Sequence, residues 1–199
     1  MHWTVAAPFF DFDEQELQNC RWLDDFVVGD RHSFTKVPCR DNSTNKSWHH
    51  RLSRNTSMSG WLKYWHQSGE AWEKTTGGVI TVFPQLATMV GTRKRFSSKN
   101  IPLISYCFNI GFLYSGVKQL LAKSALYDVD KFIVHSRKEC ETVSSWLGIP
   151  QSKFEFIPLQ RAEIPITESE DIENPFILSM GSANRDYQTF FRCCGENRY

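Results

Sequence analysis

The residues whose types and spacing could do chemistry begin with Gly181-Ser-Ala-Asn-Arg185, directly after the apolar run Pro175-Phe-Ile-Leu-Ser-Met180. A glycine after a buried strand lets the backbone turn sharply. The amides and positive dipole end of a following helix can then receive an anion. Arg185 would add a bidentate contact to a phosphate. A tight turn with Ser182 or Asn184 as its cap is the plainer alternative. A second candidate, Phe108-Asn109-Ile110-Gly111, lies just past the end of an expected strand, on the edge where open α/β sheets bind ligands. A simple loop is the competing reading there. His135-Ser136 stands at the equivalent edge of the next strand, although Ser136 also suits a helix cap.

Other patterns carry less. Asp11-Phe12-Asp13 has the form of a metal-and-diphosphate Asp-x-Asp motif. Three residues recur by chance, however, and these lie too near the amino terminus to follow a nucleotide-binding unit. His49-His50 lacks a third ligand at usable spacing, and neighbouring side chains point apart on regular structure. No Gly-x-x-x-x-Gly-Lys-Ser/Thr, Gly-x-Ser-x-Gly or His-Glu-x-x-His pattern occurs. The cysteines (Cys20, Cys39, Cys107, Cys140, Cys193 and Cys194) form no Cys-x-x-Cys pair. Cys107 and Cys140 sit among apolar residues and read as small buried hydrophobes. The expectation is a reduced, cytoplasmic chain without structural zinc, and with neither metal nor cofactor.

The elements that must position these residues are clearest from Lys131 to Pro158. Phe132-Ile-Val134 is a short β-rich run of the kind buried on both faces of a sheet. Ser136 precedes Glu139 by three residues, the capping-box spacing, and Cys140, Val143 and Leu147 form one apolar helical stripe. Gly148 and Pro150 end that helix, and Phe154 to Ile157 restarts an extended run. Upstream, strands are expected over 3–9, 32–37, 79–83 and 101–108. Helices are expected over 59–74, 85–94 and 117–126, with a short one over 22–28. Trp61, Trp65 and Trp72 share a helical face and read as core rather than as a stacking platform, and Leu120, Leu121 and Leu126 are the apolar residues of the 117–126 helix. Residues 101–117 carry no formal charge, but Pro102, Asn109, Gly111 and Gly116 break them into a strand and a loop rather than a membrane span.

Strand–helix alternation from 77 to 158 predicts an α/β, Rossmann-like, doubly wound parallel sheet over residues 1–160. Residues 161–174 are acidic and read as a linker. Residues 175–199 hold one βα unit, the truncated start of a second Rossmann-like domain. The composition, with 41% hydrophobic and 23% charged residues, is that of a folded protein, and the net charge of +1 argues against a general nucleic-acid binder. Charge is uneven: Lys36, Arg40, Lys46, Arg51, Arg54 and Lys63 face Asp41 alone. A solvated face or an anionic partner would each account for that excess.

Taken together, Phe132-Ile-Val-His-Ser136, Leu147-Gly-Ile-Pro150 and Phe156-Ile-Pro158 resemble the end of the N-terminal domain of retaining, glycogen-synthase-like bacterial glycosyltransferases of the GT-B fold. Phe176-Ile-Leu-Ser-Met-Gly181 with Asn184-Arg-Asp-Tyr187 is similar to the first strand and turn of their nucleotide-sugar-binding domain. The resemblance spans roughly residues 77–191. It implies transfer of a sugar from a nucleotide-diphosphate sugar to an acceptor, without a metal held by Asp-x-Asp. Gly181, Ser182 and Arg185 would lie on the donor side, and Phe108, Asn109, Gly111, His135 and Ser136 on the acceptor side. Family members often carry arginine directly after the glycine, where this chain has Ser182. Their paired glutamates belong further into the C-terminal domain, so a chain ending at Tyr199 is expected to be inactive alone. The alternative is a free-standing α/β module that binds an anionic partner, or the inner membrane surface peripherally, through its basic 36–63 stretch.

Overall fold

The computed structural model describes residues 1–11, 14–19, 27, 29–40 and 58–159. Two compact units divide the chain, one of Met1–Thr44 with Ser57–Gln160 and one of Asn45–Thr56 with Arg161–Tyr199. The second unit lies outside the described residues. So do the expected linker, the donor-side residues Gly181, Ser182 and Arg185, the basic residues Lys46, Arg51 and Arg54, His49-His50, Phe12-Asp13, and all but residue 27 of the expected 22–28 helix.

In chain order the elements are β1 (His2–Ala6), α1 (Glu14–Asn19), β2 (Ser33–Val37), α2 (Met58–Lys74), β3 (Gly78–Val82), α3 (Pro84–Arg95), β4 (Leu103–Tyr106), α4 (Val117–Leu126), β5 (Lys131–Val134), α5 (Arg137–Leu147) and β6 (Phe154–Phe156). All six strands run parallel in one sheet of order β2-β1-β3-β4-β5-β6. The chain steps from β1 outward to β2, then returns past β1 to β3, so the winding direction switches between β1 and β3.

Reversal of direction also decides which face each helix covers, because crossovers between parallel strands keep one hand. Helices α2 to α5 touch one another in sequence on one face. There Trp72, Val90, Leu126, Val143 and Leu147 pack on Val79, Leu103, Phe132, Val134 and Phe154. Leu17 of α1 belongs to a separate core with Val5, Phe10 and Val82 on the other face. At the centre of the larger core, the Phe132 ring stacks on Phe154 at 4.5 Å and meets the edge of Phe108 at 4.9 Å. Gly91 lets α3 approach α4 closely: a β-carbon there would come within 2.2 Å of the Ala125 carbonyl oxygen.

Two strands are shorter than the apolar runs that encode them. β1 stops at Ala6 because Pro8 occupies the second position of a turn closed by Phe10 N–H donating to Ala7 O at 3.2 Å. β4 ends at Tyr106 because Cys107 takes a positive φ of 51°. The 101–117 segment is indeed a strand and a loop, and no helix among the described residues is long and apolar enough to cross a membrane.

The tryptophan stripe divides. Trp72 is buried, Trp61 is half-buried, and Trp65 is exposed beneath the Arg93 guanidinium, 3.8 Å from its ring centroid. Arg93 also donates to Trp65 O at 2.8 Å and to Ser68 Oγ at 3.0 Å, fastening α3 to α2. Trp65 is therefore a partner for a cation rather than core. On α4 Leu126 is buried, whereas Leu120 and Leu121 point to solvent.

Around α5, Cys140, Val143 and Leu147 form the expected buried stripe. Gly148 takes the left-handed conformation (φ 60°), and the following Ile149 N–H reaches back to Ser144 O at 3.1 Å. Ser136 does occupy the cap position with extended backbone, but its hydroxyl makes no capping hydrogen bond. The carbonyl of Ser136 instead accepts from Glu139 N–H at 3.2 Å, so the expected capping box does not form.

Candidate functional site

The carboxyl ends of β3, β4, β5 and β6 lie side by side, as parallel pairing requires, and the local sequence makes each end abrupt. After β3, Phe83 adopts φ 70° and ψ 156°, a region used almost only by glycine. Pro84 restricts it further, because a residue before proline is held near extended ψ values. Its N–H donates to Tyr106 O at 3.0 Å, and its carbonyl accepts from Ala87 N–H at 3.3 Å, which over-determines the strained position.

After β4, the positive φ of Cys107 resets the alternation of the strand. Tyr106 and Cys107 both pack toward the core that contains Val5 and Val82, and Phe108 turns into the opposite core. Hydrogen bonds fix this corner: Phe108 N–H donates to Ile133 O at 2.9 Å, and Asn109 N–H donates to Cys107 O at 2.8 Å.

After β5, His135 is half-buried and contacts both neighbouring strand ends. Its Nδ1 lies 2.7 Å from Ile157 O and its Nε2 lies 3.0 Å from Cys107 Sγ. A carbonyl oxygen can only accept, so Nδ1 carries the proton. In the neutral ring Nε2 is then the acceptor, and the Cys107 thiol donates to it. The Tyr106 ring meets the imidazole edge-on at 5.7 Å. Burial pushes the Cys107 thiol up to about 11, and raises the Tyr106 phenol above its ordinary value with help from the neighbouring cysteine. The resting pair is therefore a thiol hydrogen-bonded to an imidazole, with no charge on the sulfur.

The loop after β4 and the first turns of α5 form an open cleft of about 340 Å³, lined by Ile110, Leu113, Ser136, Lys138, Glu139, Thr142 and Val143. Trp146 Nε1 donates to Tyr114 O at 2.6 Å, which ties the loop to α5, and Gln119 Nε2 donates to Trp146 O at 2.7 Å, which ties α4 to α5.

Of the acceptor-side residues expected from sequence, Asn109, Gly111, His135 and Ser136 come to one stretch of this edge, with Asn109 and Gly111 exposed. Phe108 does not join them. It is fully buried between the sheet and its helices, because the corner at Cys107 turns its ring inward. Cys107 corrects the sequence reading in the other direction, since it is a half-buried partner of His135 rather than an inert core hydrophobe. Cys140 is buried as expected. The Ile157 carbonyl was invisible to residue-type reasoning because it belongs to the backbone. The signal that could have found the pair is topological: consecutive parallel strands bring residues just past their ends together. Among the described residues, no three His, Cys, Asp or Glu side chains are gathered as metal ligands. No family model, curated protein or solved structure matches the chain.

Proposed function

We propose that this unit is the acceptor-side domain of a glycosyltransferase that moves a sugar from a nucleotide-diphosphate donor to a hydroxyl acceptor. The observation that carries the reading is the convergence of two distant segments, 109–111 and 135–136, on neighbouring strand ends of an all-parallel sheet. Polar groups at such an edge suit a sugar: the Asn109 amide both donates and accepts, and the Ser136 hydroxyl does the same. The amides of Arg137 and Lys138 at the start of α5 add donors that precede the helical hydrogen-bond pattern. In the transfer, the bond from the anomeric carbon to the diphosphate breaks with its electron pair going to the diphosphate oxygen, a bond to the acceptor oxygen forms, and the acceptor proton passes to the departing diphosphate. On this reading Gly181, Ser182 and Arg185 would meet the diphosphate.

Saturation-transfer NMR on the full chain with a panel of simple glycosides tests acceptor binding directly. At least one glycoside should give a signal that falls several-fold in the Asn109→Ala, Ser136→Ala double variant. If no glycoside binds, or if binding is unchanged in the double variant, the reading is overturned.

A further inference from the structure

Cys107 and His135 have a geometry that sugar transfer does not call for. A thiol lies 3.0 Å from an imidazole nitrogen, and the other imidazole nitrogen is held at 2.7 Å by a backbone carbonyl. That is the arrangement of a nucleophile, its general base and an orienting group. The thiol sits on a corner with positive φ at a strand end, a place where backbone strain is retained because the surroundings impose it.

We propose that Cys107 and His135 are a nucleophile–base pair that takes an acyl group from an ester or thioester into covalent linkage with the sulfur. The class of substrate follows from the pair itself: a thiol with a positioned general base attacks an activated acyl carbon. The helix α5 begins two residues after His135 and is 11 residues long, so its positive end favours an oxygen that gains negative charge nearby.

The step balances without a further co-reactant. As the Cys107 sulfur bonds to the acyl carbon, its proton passes to His135 Nε2 and the carbonyl π pair moves onto oxygen. When the tetrahedral intermediate collapses, the bond to the leaving alcohol or thiol breaks, and His135 Nε2–H protonates that group. A thioester on Cys107 remains, and water can release it as a carboxylic acid by the same sequence. The uncharged thiol suits such concerted transfer: it is raised by burial, so attack requires the base rather than a standing thiolate. Nothing in this step depends on a sugar or a nucleotide.

The test treats the full chain with p-nitrophenyl acetate, follows nitrophenolate release, and locates the acetyl group by peptide mass spectrometry. Acetylation should appear first on Cys107, disappear in Cys107→Ser, and slow about 100-fold in His135→Gln, as loss of a positioned base predicts. Glutamine keeps a donor for the Ile157 carbonyl, and a thermal melt shows whether the variant is folded. Should that variant unfold, the wild-type chain still decides: acetylation must be slower in D2O, because a proton moves in the attack. The proposal is overturned if another cysteine acetylates first, if folded His135→Gln reacts at the wild-type rate, or if D2O leaves the rate unchanged. Because no glycoside enters this assay, its failure leaves the glycoside result standing, and the reverse also holds.

Discussion

At the amino edge of the sheet, several charged groups are held by named partners. Asp130 accepts from Leu103 N–H at 2.7 Å and from Lys94 Nζ, and Asp128 pairs with Arg95 at 3.4 Å. Lys153 Nζ donates to the carbonyls of Tyr127 and Val129, both at 2.9 Å, and Lys131 pairs with Glu155 at 3.1 Å. At the carboxyl edge the same strands end in two non-glycine residues with positive φ, a thiol–imidazole pair and a serine whose hydroxyl does not cap its helix. The difference teaches where each edge spends its polar groups. The amino edge uses them to close helix ends and strand starts. The carboxyl edge leaves hydrogen-bonding capacity and strain in place, and the two features coincide with the edge where parallel sheets bind ligands.

The comparison can be broken at Asp130. Asp130→Ala leaves the Leu103 amide and the mostly buried Lys94 ammonium without their shared acceptor. Such a loss costs about 2 kcal/mol, measured as a lowered urea midpoint with an unchanged slope. At the other edge, Asn109→Ala touches an exposed side chain and should shift the midpoint by less than about 0.5 kcal/mol. Equal losses at both positions would erase the distinction between a structural edge and a binding edge.

A smaller effect should appear at high pH. The folded Cys107 thiol titrates at about 11 rather than its ordinary 9.0, so as pH rises the unfolded chain loses that proton first. The folded state then binds more protons than the unfolded one, and stability falls as pH climbs from 9 through 11. Discounted for partial exposure of the sulfur, the loss is about 1 kcal/mol. Cys107→Ser should flatten this limb in urea titrations across that range. A residual fall above pH 10 belongs to Tyr106, whose phenol is raised in the same direction. An equally steep limb in Cys107→Ser would mean that burial of the thiol contributes nothing.

Much of the frame could be read from residue types. The β-rich runs around 79–82, 103–106 and 132–134 became parallel strands, and the apolar spacing of 140, 143 and 147 became the buried stripe of α5. These features were legible because burial repeats with the period of the element. The thiol–imidazole pair was not, because Cys107 and His135 are 28 residues apart and meet only through strand order. Phe108 was misplaced for a related reason. An apolar residue after a strand can continue outward into a loop or turn inward, and the φ of the preceding cysteine decides. Leu120 and Leu121 show the converse limit, since helical apolar spacing does not say whether anything covers it. Backbone angles at non-glycine residues carry little signature in the chain itself.

Phe83 offers the finest test of stored strain at the carboxyl edge. Phe83 is the residue that caps α3, and at such positions glycine is already better tolerated than alanine. At φ 70° and ψ 156° that preference should widen. Both substitutions remove the edge-on contact of the Phe83 ring with Phe9, 6.4 Å between centroids, so the loss of the aromatic pair cancels between them. What remains is the β-carbon, which alanine keeps in a region open almost only to glycine. Phe83→Gly should therefore be more stable than Phe83→Ala by about 1 kcal/mol, the strain of order 1–3 kcal/mol less the entropy term. If alanine proves as stable as glycine, the strained corner after β3 is relaxed in solution. The carboxyl edge would then differ from the amino edge in its side-chain chemistry alone, with Cys107 and His135 as the residues that set it apart.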